Sequence, residues 1–357
     1  MTDIAARRLR TQRLAGERFA SAEEAVGWLG AVQSQDYGGA KWALGLRSRG
    51  LTDANLDRLF DAGAILRTHV LRPTWHFVLP EDVRWLLELT APRVKAGLAF
   101  SDRRIGIDAA LLARSHAVLT AALRDGAHLT RHELAAALER SGIPASGQRL
   151  SHLVMHAELD GVIVSGPRRG RQFTYALLDE RAPAARRLDR DDALAELARR
   201  YFTSHGPAQL PDFTWWSGLT AAAARRALDL AGPDLAHELI DGRSYWRAPD
   251  ERRPAPAGPL VHLLPNYDEL LVAYRDRSAA LDPGLDLSSL PRGSILTNVV
   301  VVDGRVRCGW QRRPSGGRVV VEVVPLGPVD AAASAAIERA AGELGRFLGV
   351  PAEVAWP

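Results

Sequence analysis

The sequence predicts a mainly α fold with β-hairpins (α+β): three tandem winged-helix domains in a curved clamp, plus a C-terminal β-rich layer. Three observations predict it. The order helix, helix, helix, hairpin occurs three times. The copies have no fixed period, which argues for tandem domains and against a solenoid. The C-terminal part then turns to strand-forming runs separated by turn residues.

The middle copy is the clearest. Asp108–Arg124 carries apolar residues on one face at helical spacing. Thr130-Arg-His-Glu133 has the form of a capping box and opens a second helix reaching about Arg140. A third helix spans Gly147–Leu159, with Gly161 placed to end it. Val162–Ser165 and Phe173–Leu177 flank a Gly/Pro turn, a hairpin. Downstream, helices over Asp191–Thr203, Pro207–Ser217 and Thr220–Leu230 precede a wing at Leu235–Ala248, with Asp241-Gly242 as its tight turn. The N-terminal copy is looser. Ser21-Ala-Glu-Glu24 starts a helix expected to reach Val32 or Gln33, Lys41–Arg47 and Thr52–Ala62 follow, and Ile65–Leu71 and Thr74–Leu79 alternate as strands. Expected domains are therefore residues 1–105, 106–188 and 189–357. The last carries strands at Leu260–Leu264, Ile295–Val302, Arg305–Gln311 and Arg318–Val324, and a closing helix at Val329–Leu348. Asp250–Pro259, rich in Pro and Arg, reads as a linker.

Bulk properties narrow the function classes. One cysteine, Cys308, excludes an internal disulfide and suits a reducing compartment. MTDIAARRLR has no apolar run, so no secretory signal is expected there. No stretch approaches the roughly 18 apolar residues of a membrane span. A net charge of +4 is compatible with nucleic acid, but only Lys41 and Lys95 are lysines, and a compositional preference for arginine explains much of the excess. There is no Gly-rich phosphate loop with Lys-Ser/Thr, no G-x-S-x-G elbow and no Cys-His nucleophile pattern. His152 and His156 stand at a spacing that can hold a metal, without a Cys or a second pair nearby, so a core or groove-facing role is favoured; His128 and His132 meet the same objection. Asn266-Tyr-Asp-Glu269 reads as a helix start, with Asn266 capping and Glu269 reaching back. Arg168, Arg169 and Arg171 fall on one hairpin tip, and Arg312 and Arg313 on the tip between the last two strands. Each group is a phosphate contact or a solvated cluster, and the sequence leaves both open.

The stretch Ala31-Val-Gln33-Ser-Gln35-Asp-Tyr37 raises the sharpest question. Glutamine is a common surface residue. Residues two apart share a side only on an extended chain, and Gly38-Gly39 just beyond signals that the helix ends near here. Two amides facing one way offer acceptors and donors without a charge to desolvate. An amide is no general base. It can hold and aim a water, which suffices only where the bond to be broken is already weak.

The run Gly30–Tyr37 with Leu71-Arg-Pro-Thr-Trp-His-Phe-Val78, His205-Gly-Pro207, Asp212–Gly218, Leu264-Pro-Asn-Tyr-Asp-Glu-Leu270 and Tyr274-Arg-Asp-Arg277 resembles the AlkZ-type DNA glycosylases, the HTH_42 family of three tandem winged helices. The resemblance spans essentially the whole chain. It implies excision of bulky or cationic alkylpurines from double-stranded DNA, with some interstrand crosslinks unhooked, and no cofactor or metal. The family's signature is glutamine, an aliphatic residue, glutamine, or aspartate in last place in a second branch. Gln33 and Gln35 match the first branch, and Ser34 departs from the aliphatic middle position. The resemblance implies that Gln33 and Gln35 are catalytic. Arg168, Arg169, Arg171, Arg312 and Arg313 are the expected DNA contacts, on a monomer working in the cytoplasm at the nucleoid. A winged-helix DNA-binding protein without catalysis, such as a regulator, is the alternative, but it has no need of the paired glutamines.

Overall fold

The computed structural model describes residues 3–249 and 259–357, so all of the expected linker except Pro259 lies outside the described residues. The chain is a mixed α/β structure in which helices predominate. It divides into two compact units. One comprises Met1–Leu56, Ala195–Trp216 and Thr220–Pro357; the other comprises Asp57–Leu194 and Ser217–Leu219.

Helix α1 (Ile4–Thr11) leads to α2 (Ala22–Leu29), the short β1 (Val32–Gln33), α3 (Tyr37–Arg47), α4 (Asp53–Ala62), the hairpin β2 (Leu66–His69) and β3 (Trp75–Val78), and α5 (Val83–Arg104). Ser21 caps α2 by accepting the Glu24 N–H at 3.1 Å, and Glu24 accepts from Ala20 rather than from Ser21. The helix stops at Leu29, earlier than the sequence suggests, because Gly30 turns the chain at φ +79°. Helix α3 likewise starts earlier than expected, at Tyr37, because Asp36 accepts the Gly39 N–H at 3.0 Å. The sequence reading has no counterpart for α1 or α5. Pro92 inside α5 disguises a 22-residue helix, since an interior proline removes a donor and ordinarily breaks the ladder.

The middle segment shows the expected order: α6 (Ala109–Leu123), the short β4 (Leu129–Thr130), α7 (Arg131–Arg140), α8 (Gly147–Leu159), β5 (Ile163–Ser165) and β6 (Thr174–Leu177), followed by α9 (Leu178–Arg181). The Thr130–Glu133 capping box is complete, with the Thr130 N–H donating to Glu133 Oε2 at 2.7 Å and the Glu133 N–H to Thr130 Oγ1 at 3.3 Å. Leu119, Leu123, Leu134, Leu138 and Leu153 meet in its core with Ile163. These are the apolar faces that the helical spacing marks.

The third copy is α10 (Arg190–His205), α11 (Leu210–Ser217), α12 (Ala221–Ala231) and the hairpin β7 (Ala236–Ile240) and β8 (Arg243–Arg247). Asp241 and Gly242 take φ +48° and +75°, the two left-handed residues of a tight hairpin turn. The C-terminal part adds β9 (Val261–Leu264), α13 (Glu269–Val272), β10 (Val299–Val302), β11 (Arg305–Ser315), β12 (Arg318–Pro325), α14 (Ala331–Leu348) and β13 (Ala352–Ala355). Its sheet runs β13-β12-β11-β10-β9, antiparallel except for β12 with β13. Helix α3 docks here: Trp42 donates to the Leu263 carbonyl at 2.7 Å and packs on Phe347 of α14, while a Cβ on Gly45 would meet that ring at 2.7 Å.

One correction bears on function. Arg312 and Arg313 are not at the turn. Strand β11 continues past Gln311 to Ser315, so they pair with Val321 and Val320, and the turn is Gly316-Gly317. β10 pairs with β11 only along Arg305–Gly309, which leaves an open edge where Pro314 is tolerated. Among the described residues, no single helix is long and apolar enough to cross a membrane.

Candidate active site

The Gln-Ser-Gln segment is made by two chain breaks. Gly30 ends α2, and a Cβ there would still find ordinary space, 3.6 Å from Trp216. What requires glycine is the positive φ, which side-chain-bearing residues adopt at a cost. Asp36 then caps α3. Between these points the chain is extended around β1, with Val32, Gln33 and Ser34 buried and Gln35 exposed. Gln33 thus ends a two-residue strand and Gln35 lies in the bend that follows it, the two amides at different depths.

Glu269 holds this run in place. Its side chain is buried, and Oε1 accepts the backbone N–H of Gln33 at 2.8 Å. Oε2 accepts the indole N–H of Trp216 at 3.0 Å and lies 3.5 Å from His205 Nε2. His205 is stacked on Tyr201, centroids 4.9 Å apart, and its Nδ1 is 2.8 Å from Ser204 Oγ. Burial pulls the His205 pKa below the ordinary imidazole value, more strongly than neighbouring Glu269 raises it. A buried carboxylate needs donors on its oxygens. Here the N–H groups of Gln33 and Trp216 are those donors, and they tie β1 to α11.

The same NYDE stretch supplies three more anchors. Asp268, not Asn266, caps α13 by accepting the Leu270 N–H at 2.9 Å. Asp268 also forms a two-pronged pair with Arg47, both contacts 2.8 Å and both side chains fully buried. Gln12 continues the network, accepting from Arg47 at 2.7 Å and donating to the Tyr274 hydroxyl at 3.1 Å. Asn266 donates from Nδ2 to Asp36 Oδ2 at 3.0 Å, so the residue after Gln35 is tied to the same loop. Tyr267 takes φ +60°, a left-handed conformation that costs energy for a tyrosine and that a constrained site imposes. Read as sequence, Asn266–Glu269 is a helix start. The signal in the sequence is the pair of adjacent acids, Asp268 and Glu269, just before the apolar run Leu270–Ala273, which fits burial with partners better than a solvated cap.

Arg312 approaches this region: its Nη2 lies 3.4 Å from where a Cβ on Gly38 would stand. It is exposed and makes no ion pair among the described residues, whereas Arg313 is paired with Glu322 at 2.9 Å. In the other unit Arg168 is paired with Asp57 at 3.2 Å. Arg169 is paired with Glu133 at 2.8 Å. The Thr130 backbone N–H, together with Arg169, holds the Glu133 carboxyl down to about 2. Arg171 is exposed and without an ion pair among the described residues. Of the five arginines singled out by sequence, Arg171 and Arg312 are thus uncommitted to a carboxylate. His152 and His156 bracket one carboxylate, with Asp102 Oδ1 2.6 Å from His152 Nδ1 and Oδ2 2.9 Å from His156 Nε2. All three are buried where α5 packs on α8. Among the described residues no group of three or more His, Cys, Asp and Glu side chains is arranged to hold a metal ion.

The family model for AlkZ-like DNA glycosylases matches residues 26–347, which includes Gln33, Gln35, His205, Asn266–Glu269 and Arg312. The interstrand DNA cross-link repair glycosylase of Streptomyces sahachiroi is 24% identical over 365 residues, spanning 96% of this chain and 95% of that one. The solved structure of Streptomyces sahachiroi DNA glycosylase AlkZ covers 99% of this chain and 98% of its own, with a TM-score of 0.80 and 22% identity, which shows a shared fold. With nine-tenths of its length inside the family match, the chain belongs to the AlkZ-like DNA glycosylase family.

Proposed function

We propose that this glycosylase hydrolyses the N-glycosidic bond of bulky or cationic alkylated purines in double-stranded DNA, N7 and N3 adducts and interstrand crosslinks among them, using a water held by Gln33 and Gln35. Alkylation at N7 or N3 places positive charge on the base, so the bond to C1′ weakens without protonation of the leaving group. As it breaks, the bond's electron pair moves onto the base and neutralises it, and the sugar becomes oxocarbenium-like. The water oxygen bonds to C1′ and its proton passes to solvent. Two amides fix the direction of that water, and positional control of this kind lowers a barrier by several kcal/mol. No acid, base or metal is called on.

The observation that carries the reading is the buried Glu269 carboxylate accepting the Gln33 N–H at 2.8 Å. An ordinary polar helix end has no use for such an anchor, whereas a water-positioning pair must be rigid. The repeated element order supports three winged-helix domains, residues 1–105, 106–188 and 189–357, and the protein is proposed to act as a monomer. Arg171 and Arg312 are the leading phosphate contacts, with Arg168, Arg169 and Arg313 contributing where DNA displaces their carboxylates. One buried cysteine suits action in the cytoplasm, at the nucleoid. The test is incubation of the protein with duplex DNA carrying an N7-alkylguanine, scored for abasic sites. Tight binding to this duplex without abasic sites would instead identify a non-catalytic winged-helix DNA-binding protein.

A further inference from the structure

The unit that does not contain Gln33 carries a cleft of about 730 Å³ between α7, the β2–β3 hairpin and the loop before β6. That volume falls in the range of about 300–1,000 Å³ typical of small-ligand sites. Its floor is apolar. Ala145 and Leu150, buried members of the middle core, line it, and Ala135 packs against that core beside them. One wall is cationic. The Arg67 guanidinium carbon lies 4.4 Å from the Trp75 ring centre and 4.7 Å from the Phe173 ring centre. His69 and Arg168 pack on the same two rings, so the rings are covered and the wall presents a fixed charge. Arg131, the first residue of α7, donates to Ser151 Oγ at 2.5 Å and makes no ion pair among the described residues. Burial and Glu158 push the Tyr175 phenol up, while Arg131 and Arg67 pull it down, so both guanidinium groups act at one end of the cleft. Glu158 itself is bound behind the wall to His69 Nδ1 at 2.5 Å. With Arg171 on the loop, three guanidinium groups line the cleft against one carboxylate, the exposed Glu139.

An apolar floor beside a cation that has no carboxylate matches a ligand joining an anion to an apolar body. A neutral apolar molecule would cover the guanidinium without giving it a partner, at a cost. A bare anion would leave the floor in water. A carboxylate meets a guanidinium in two parallel hydrogen bonds, and an apolar tail then covers the floor. We propose that this cleft binds a free small organic acid, its carboxylate at Arg131 and its apolar body on the Ala135, Ala145 and Leu150 floor, with Arg67 and Arg171 adding to the positive potential. The site is additional to the roles given to Gln33 and Gln35.

The probe is hexanoate, titrated by calorimetry against the full chain beside its neutral counterpart hexanamide and its headgroup alone, acetate. Wild type is expected to bind hexanoate saturably at millimolar concentration. Hexanamide should bind at least about tenfold more weakly, the scale of one hydrogen bond to a charged group. Arg131→Gln should lose about tenfold for hexanoate on the same scale and leave hexanamide unchanged. Glu139→Gln, which removes the cleft's carboxylate at an exposed position, should tighten hexanoate by about twofold or more. Ala135→Trp, which fills the floor, should abolish binding. Circular dichroism and Tm identify the variants that fold, and Arg131→Gln with Glu139→Gln carries the test if Ala135→Trp does not. No binding of hexanoate, equal binding of acid and amide, or wild-type affinity in folded Arg131→Gln would overturn the assignment. Acetate binding as tightly as hexanoate would make this a site for a bare anion. A peptide ending in a free phenylalanine carboxylate that binds at least about tenfold tighter than hexanoate would give the cleft to a protein tail. Either result overturns the small-acid assignment, and weaker binding of both supports it. None of these readouts involves DNA, so a failed excision assay and a failed binding assay point to different faults.

Discussion

Gln33 and Glu269 stand 236 positions apart in the chain, and one hydrogen bond of 2.8 Å joins the backbone N–H of the first to the carboxylate of the second. The bond sets the height of the Gln-Ser-Gln run, while Trp216 and His205 set the position of the carboxylate. Glu269 is in these terms a positioning residue. Glu269→Gln keeps the size but turns one acceptor into a donor facing an N–H. Stability should fall by about 1–3 kcal/mol, the cost of an unsatisfied buried polar group. Excision by the folded fraction should fall at least about tenfold while duplex affinity holds. Urea unfolding beside single-turnover kinetics separates the two effects, and an unchanged rate in folded Glu269→Gln would remove the positioning role.

Gly30 is needed for its backbone. Its φ of +79° is unfavourable for any residue with a Cβ, although space around it is ordinary. Gly30→Ala should cost at least about 1 kcal/mol and slow excision by displacing the run that follows. A crystal structure of the variant with residues 31–35 unmoved would refute the second half.

The arginines should divide by their existing partners. Arg312→Glu and Arg171→Glu should each lower duplex affinity and reduce the salt slope by about one. Arg313→Glu should do less, because Glu322 already neutralises that side chain at 2.9 Å. Equal losses at Arg312 and Arg313 over a salt titration would contradict the division.

Acid should destabilise the fold through its buried histidines. Burial, helped by Arg18 and Arg47, lowers His262 from 6.5 to about 4, and burial also lowers His76 and His205. A depressed histidine contributes stability that is complete above pH 6.5 and is lost as pH falls toward the folded-state value. For His262 that loss is about 3 kcal/mol between pH 6.5 and 4. His262→Leu should therefore narrow the stability gap between pH 7 and pH 4.5 relative to wild type. Parallel stability curves for the two proteins would show that His262 does not carry the effect.

Much of the fold is legible in the sequence because local rules govern it. The Thr130–Glu133 box, the Asp241-Gly242 turn and the apolar faces of α6 and α8 are short-range patterns, and the structure follows them. Helix α5 is illegible because Pro92 is a local signal that surrounding packing overrides. The length of β11 is hidden for the same reason, since Pro314 and two arginines look like a turn until an open strand edge makes room for them. Gln33 and Gln35 stand out as a pair of amides near a helix end, but what fixes them lies 236 residues away in Glu269, beyond any local pattern.

The most direct test is single-turnover excision of an N7-alkylguanine from duplex DNA by Gln33→Ala, Gln35→Ala and the double variant, with duplex binding measured on the same preparations. Either single change should remove most of the rate, and the double change nearly all of it, with affinity held by the arginines. Wild-type rates in the double variant would contradict the water-positioning role and leave Gln33 and Gln35 as an ordinary polar segment.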